Sequence, residues 1–452
     1  MKIVIEGAGE IGSHLAKMLS REANEITVID PEAARLERLV ASADVAVIQG
    51  NPSSIRVLKK AGVGSADLFI AVNPFVSQEV NIVSAILAKR LGAAKVTARV
   101  DDEECLTPDN KLIFKDMGIE LMFFPEKIAA EEILAQLRHT ASTDNMDFAH
   151  GRLQISVFKL EEDSPLLDMN IADFAALATS DDIQFRVIAI SRGDGTIIPK
   201  FDTRFKYHDL VFTIAKREGV QMLMKYLGKT NIEVSRLMIY GGTEMGEQVA
   251  KAATGVIGEI KLIEKDRERC HALSGALDSR VTIVNGDGKN PDFLAEESIR
   301  EYDAFAALTG SDETNVLACV MARRFGVGLT IADIENVEYI RLAEDMGVDC
   351  VINKKLLTAG KIFKFTLSDK ARFVKYMSGT SAEVLEYVVA PGSRITSAPL
   401  KDLGFPRNAV IGGLIRGSEA QIAIGSTRIE AYDRVAVFAL PEAVKEVDKF
   451  FK

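Results

Sequence analysis

Residues 2–12 read KIVIEGAGEIG, and residues 236–246 read RLMIYGGTEMG. In the first stretch an apolar strand runs into Gly7-x-Gly9-x-x-Gly12; in the second, Gly241 and Gly246 repeat the outer glycines. The register holds well beyond the motif. Gly7 and Gly241, Gly12 and Gly246, Asp30 and Glu264, Glu79 and Glu313, and Asn81 and Asn315 all stand 234 residues apart (241 − 7, 246 − 12 and so on). A tandem duplication of a nucleotide-binding unit suits a protein that senses nucleotides and transmits the result. Enzymes built on such a unit mostly follow it with one distinct catalytic domain.

Working outward, apolar runs predict strands at Lys2–Glu6, Glu25–Asp30, Val45–Gln49 and Leu68–Val72, with Lys95–Val100 closing the set. Stretches of helical periodicity separate them, including Ile11–Arg21 and Glu79–Leu91. Strands alternating with helices imply βαβ units, right-handed crossovers and a doubly wound parallel sheet. A polar stretch at 140–151, TASTDNMDFAHG, reads as a linker. Beyond it shorter strands are expected at Leu153–Leu160, Phe185–Ser191, Thr196–Pro199 and Asp209–Ala215, with Arg192-Gly-Asp-Gly195 as a hairpin turn.

The second half repeats both units. In the small ones Arg192 matches Arg416, Thr203 matches Thr427, Asp209 matches Asp433 and Val211 matches Val435, each 224 residues on (416 − 192). The expected fold is therefore α/β: two Rossmann-like doubly wound domains, each followed by a small α+β domain. The boundaries fall at 1–140, 151–228, 234–360 and 372–452.

A chain of 452 residues is too long for one core, and two to four domains are expected. Its net charge of −10 disfavours nucleic acid and direct adsorption to anionic lipid. No apolar run approaches the ~18–20 residues that span a bilayer, and Glu6 interrupts the N-terminal stretch too early for a signal peptide. The four cysteines form no CxxC pair and the five histidines no HExxH, so neither a disulfide framework nor a zinc site is expected. The expected location is the cytosol, with any service to a membrane performed from outside the bilayer.

In the GAGEIG turn (Gly7, Ala8, Gly9, Glu10, Ile11, Gly12), Gly7 permits the tight turn and Gly9 lets the backbone approach a diphosphate. Gly12 lets helix and strand pack closely. The diphosphate would sit at the helix N-terminus, where free N–H groups and the dipole favour an anion. Asp30 should accept hydrogen bonds from ribose hydroxyls, favouring NAD(H) or an adenine nucleotide over a 2′-phosphorylated one. Asn73 ends the fourth strand, where ligands of open α/β sheets gather. Arg99 suits a phosphate, neutralisation of Asp30, or a surface salt bridge.

The second unit keeps Gly241, Gly242, Gly246 and Glu264 but has Thr243 for the middle glycine and Asp333 for Arg99. It binds more weakly, binds a smaller nucleotide, or is structural only. No catalytic constellation stands out, so the expectation is that the chain is not an enzyme; an NAD-dependent oxidoreductase is the alternative. His208 aligns with Tyr432 and reads as a turn residue.

GAGEIG with Asp30, GDGKNPDFL (286–294) and AALTGSDETNVLA (306–318) resemble the RCK (KTN) regulatory domains of potassium transport. SRGDGTIIPKFDT (191–203) and HDLVFTI (208–214) resemble that family's RCK-C segment, and the resemblance covers almost the whole chain. It implies RCK-N lobes that assemble into a ring beneath a membrane potassium-translocating subunit of the TrkH type. It also implies that NAD(H) and ATP or ADP compete for the lobe clefts. By position, Gly7, Gly9, Gly12, Asp30, Asn73 and Arg99 match the family's nucleotide contacts in the first lobe, and Gly241, Gly246, Glu264 and Thr309 in the second. A sensor serving another cation transporter fits the same resemblance.

Overall fold

The computed structural model describes residues 1–20, 24–75, 77–138, 140, 142, 144–148, 151–177, 184–193, 195–228, 232–366, 371–376 and 382–451. The chain divides into two compact units: Met1–Ala129 with Asn353–Thr366, and Ala130–Ile352 with Leu367–Lys452.

In the first unit, β1 (Lys2–Glu6), β2 (Glu25–Asp30), β3 (Ala46–Gln49), β4 (Leu68–Ala71), β5 (Lys95–Arg99) and β6 (Leu121–Phe123) form one parallel sheet. Its order is β3-β2-β1-β4-β5-β6, so the chain reverses direction across the sheet between β1 and β4. That reversal opens a crevice at the carboxyl ends of the strands, where ligands of such sheets bind. The expected set of five strands is one short. β6 is only three residues long and pairs with β5 through Thr97, Ala98 and Arg99, so its own sequence carries little pattern. Helix Lys354–Thr366 also belongs to this unit, where Lys355 Nζ pairs with Glu10 at 3.0 Å and Lys354 Nζ with Glu126 at 3.7 Å.

The second unit holds the duplicate lobe and both small sheets. The first small sheet comprises β7 (Asp144–Phe148), β8 (Leu153–Lys159), β9 (Phe185–Arg192), β10 (Gly195–Ile197) and β11 (Leu210–Lys216), ordered β10-β9-β11-β8-β7. The expected 140–151 linker thus contains a strand: β7 is polar, and antiparallel pairing with β8 holds it, with Met146 and Phe148 buried. The hairpin turn before Gly195 is present, with Gly195 opposite Arg192 and Thr196 opposite Ser191; Asp194 lies outside the described residues.

The duplicate lobe is β12 (Arg236–Tyr240), β13 (Glu259–Glu264), β14 (Val281–Asn285), β15 (Ala304–Ala307), β16 (Leu329–Asp333) and β17 (Cys350–Ile352), ordered β14-β13-β12-β15-β16-β17. The last sheet is β18 (Ala371–Tyr376), β19 (Glu383–Val388), β20 (Ala409–Arg416), β21 (Glu419–Ile422) and β22 (Arg434–Ala439), ordered β18-β19-β22-β20-β21. Each sheet of a pair therefore has the connectivity of its counterpart.

The repeat reaches individual bonds. Arg192 donates from Nε to Asp209 at 2.7 Å and from Nη2 to the Arg204 carbonyl at 2.7 Å; Arg416 does the same to Asp433 and the Arg428 carbonyl at 3.0 and 2.8 Å. His208 and Tyr432 both have positive φ, 65° and 71°, which bears out His208 as a turn residue. The two small sheets share one apolar core, in which Phe212 and Phe438 pack with ring centroids 5.5 Å apart.

Two carboxylates, Glu6 and Asp30, lie fully buried inside the first lobe. Glu6 ends β1 fully buried; its Oε2 accepts a hydrogen bond from Ser84, and its Oε1 has no partner among the described residues. Burial pushes its carboxyl from 4.5 up to about 8, with Asp30 nearby adding to the rise and the Ser84 bond opposing it. Below pH 4.5 the folded and unfolded chains both hold this proton, and between pH 4.5 and about 8 only the folded chain does. Stability should therefore fall as pH rises through that window, by up to ~1.4 kcal/mol per pH unit, and level off above it. Glu6→Gln should flatten that part of the thermal-midpoint profile. Parallel profiles for the two proteins between pH 5 and 8 would show that Glu6 is already ionised in the fold.

Candidate nucleotide clefts

The glycine turns follow from sterics. Gly7 has φ +102° and Gly241 φ +112°, a region that side-chain-bearing residues rarely adopt. A Cβ on Gly7 would lie 2.6 Å from the Asn73 Cα, and one on Gly241 would lie 2.7 Å from the Leu308 carbonyl oxygen. The last glycines are stricter still: a Cβ on Gly12 would stand 1.9 Å from the Gly7 oxygen, and on Gly246 2.0 Å from the Gly241 oxygen. Strand and helix cannot meet at this turn with any larger residue.

In each lobe an acid from the second strand clamps the turn. Asp30 is fully buried and accepts from the N–H of Ala8 at 2.7 Å and of Glu32 at 2.8 Å. Glu264 accepts from Gly242 N–H at 2.6 Å and Asp266 N–H at 2.8 Å. Both expected ribose acceptors thus already hold the backbone on each side of the cleft.

An arginine stands beside each clamp, and the sequence reading passed over both. Arg35 reaches Asp30 at 3.4 Å, while Arg269 donates to the Gly242 carbonyl at 2.6 Å and to Glu247 at 2.8 Å. These two lie 234 residues apart (269 − 35), so the repeat itself carried the signal. Burial works against the Glu247 charge, but Lys251 and Arg269 bonded to it hold its carboxyl below the ordinary range.

The loop after the fourth strand differs between lobes. Asn73 is buried, with its N–H on Asn81 Oδ1 at 3.2 Å and its own Oδ1 accepting from Phe75 N–H at 3.0 Å. Thr309 holds the same place, its N–H on Asn315 Oδ1 at 2.9 Å. Eight residues separate Asn73 from Asn81 and six separate Thr309 from Asn315, so the first loop is two residues longer. The extra length brings Pro74 over the turn, where a Cβ on Gly9 would meet it at 2.8 Å. Gly9 therefore makes room for this loop, a demand not foreseen beside the expected diphosphate. Phe75 in turn packs its ring 3.5 Å from the Arg35 guanidinium carbon.

The shorter loop of the second lobe borders an open cleft. A cavity of about 550 Å³ is lined by residues from the turn (Tyr240, Gly241, Gly242, Thr243), from the end of β13 (Glu264, Lys265, Asp266) and from Arg269. Lys289 and Thr309 to Ser311, with Thr314, complete the wall. Thr243 caps its own helix, accepting from Gly246 N–H at 3.2 Å and donating to the Leu308 carbonyl at 2.8 Å. One of the free N–H groups expected to greet a phosphate is thereby occupied.

Tyr240 stands where the first lobe has Glu6, and its hydroxyl donates to Asp287 at 2.8 Å. Burial and that bond push the Tyr240 hydroxyl well above its usual range. Asp287 itself follows Gly286 after β14.

Arg99 donates to Asp101 at 2.8 Å and lies 3.8 Å from Glu126. Its counterpart Asp333 is buried and does not line the cavity. Glu10 and Ile11 open the first helix, Glu10 paired with Lys355 and Ile11 buried. Among the described residues no group of three His, Cys, Asp or Glu side chains is placed to hold a metal, and no helix is long and apolar enough to cross a membrane.

Comparison with known proteins fits this geometry. The TrkA-N domain matches residues 3–125 and 237–354, and the TrkA-C domain matches 155–228 and 384–452. The Trk system potassium uptake protein TrkA homolog of Archaeoglobus fulgidus is 34% identical over the full length of both chains. The Trk system potassium uptake protein TrkA of Halomonas elongata is 30% identical over 100% of this chain and 99% of its own. The GsuK RCK domain is similar in fold, with TM-score 0.61 at 16% identity, covering 100% of this chain and 94% of that one. The GsuK channel bound to NAD gives 0.62 at 16% identity, covering 100% and 78%. With both domain types matched twice in alternation and relatives aligned from end to end, the chain belongs to the TrkA family of Trk-system potassium uptake proteins.

Proposed function

We propose that this chain is a cytosolic nucleotide-sensing regulatory subunit that controls potassium uptake through a membrane subunit of the TrkH type. The observation that carries the proposal is the duplicated glycine turn with its acid clamp, in a chain that aligns from end to end with potassium uptake proteins. The sensing domains are residues 1–140 and 234–360, and the small domains 151–228 and 372–452. NAD(H) is the ligand of the first cleft, bounded by the Gly7–Gly12 turn, Asp30, Asn73 and Arg99. ATP or ADP competes for the clefts, the second of which is bounded by Gly241, Gly242, Thr243, Gly246, Glu264 and Thr309.

Ring assembly accounts for apolar side chains that both lobes leave exposed on corresponding helices. These are Val83, Leu112, Ile113 and Met117 in the first lobe, and Leu317, Leu342 and Met346 in the second. The mechanism is linkage. A nucleotide opens the transporter only so far as it binds the open-compatible ring better than the closed one. A tenfold preference supplies ~1.4 kcal/mol per site, and several sites in one ring multiply it. No chemical step is required of any side chain.

Asp30→Ala should weaken NADH binding by about tenfold or more, since it releases two charge-assisted bonds to the cleft backbone. Glu264→Ala should matter less for NADH, and equal losses in calorimetry would contradict that ranking. In a deletion strain lacking other potassium uptake, wild-type protein should restore rubidium uptake and equally expressed Asp30→Ala should not. Unchanged uptake on deletion would end the transport reading.

A further inference from the structure

The second cleft carries two positive charges that the first does not. Lys265 directly follows Glu264 at the end of β13, and Lys289 lies in the turn after the neighbouring strand β14. Both line the cavity. At the same registers the first lobe has Pro31 after Asp30 and Ser53 after β3. Neither side chain there is charged.

The position matters because the end of the second strand in a doubly wound sheet is where a bound nucleotide presents its ribose. Glu264 ends that strand only 9% exposed, with its oxygens on the Gly242 and Asp266 N–H groups. Contact with the ribose then falls to the residues just beyond it. Arg269 is committed to Glu247 and the Gly242 carbonyl. Among the described residues neither Lys265 nor Lys289 makes an ion pair within 4.0 Å, and both are exposed. Asp287 feels both lysine charges: burial opposes its own charge, yet its bonds from Lys289 N–H and the Tyr240 hydroxyl, together with the two lysines, hold its carboxyl below the usual range. Both lysines line the same cavity, at the ends of the neighbouring strands β13 and β14.

We infer that the second lobe selects an adenosine nucleotide bearing an additional phosphomonoester on its ribose 2′- or 3′-hydroxyl, held by Lys265 and Lys289. This rests on the reading of that cleft as a nucleotide site. A phosphomonoester brings nearly two negative charges and three acceptor oxygens, which two unpaired ammonium groups can meet. The first lobe, with a buried acid and no added cation at these positions, keeps its preference for an unmodified ribose. The duplication then yields two sensors with different ligands.

Calorimetry of the full chain with 5′-AMP, 2′,5′-ADP and 3′,5′-ADP tests this, the last two separating the 2′-phosphate of a dinucleotide from the 3′-phosphate of a coenzyme-type nucleotide. At least one ribose-phosphorylated probe should bind about tenfold tighter than 5′-AMP. The Lys265→Ala/Lys289→Ala protein should lose that preference while keeping its thermal midpoint. Equal binding of all three probes by wild type, no binding of either bisphosphate, or a preference that survives the double substitution would overturn the inference. Failure of NADH, ATP and ADP to bind as well would instead defeat the underlying assignment of the clefts.

Discussion

The clefts depend on one interaction made twice: a carboxylate at the end of the second strand accepting an N–H from the glycine turn that ends the first. Asp30 to Ala8 and Glu264 to Gly242 span the gap between neighbouring parallel strands just where backbone pairing stops. A buried carboxylate needs such donors, because an unpaired charge in a low-dielectric interior is costly. The turn in turn needs an acceptor, because its N–H groups are otherwise unmet. Each solves the other's problem. The result is a backbone cradle fixed before any ligand arrives, so binding energy need not be spent on ordering it.

What differs between the lobes is what surrounds the clamp. Two added loop residues in the first lobe bring Pro74 and Phe75 over Gly9 and Arg35. In the second, the shorter loop lines a cavity, while Thr243 closes one N–H of the helix from within. Replacing Glu6 by Tyr240 changes the floor as well, from a buried acid to a phenol tied to Asp287. Duplication preserved the cradle and let its walls diverge.

Much of this was legible in the residues because it rests on sterics and repetition. Gly7, Gly12, Gly241 and Gly246 sit where a single Cβ collides with backbone, so their identity is forced and visible. The paired strands read clearly because central strands of a parallel sheet are buried on both faces. Short edge elements did not: β6 is three residues long, and β7 hides in a polar stretch held by its neighbour. The roles of Asp30 and Gly9 were read only in part. Sequence shows that an acid and a glycine are present, but not that backbone amides already occupy the acid or that Pro74 covers the glycine. Such facts depend on residues far apart in the chain, where loop length rather than local pattern decides the contact.

The most direct measurement is potassium flux through a TrkH-type subunit in proteoliposomes, with and without this chain, as NADH, ATP or ADP is added. Nucleotide-dependent change in flux only when the chain is present is the predicted result. Flux indifferent to every nucleotide, with the chain demonstrably bound to the membrane subunit, would contradict a nucleotide-gated regulator.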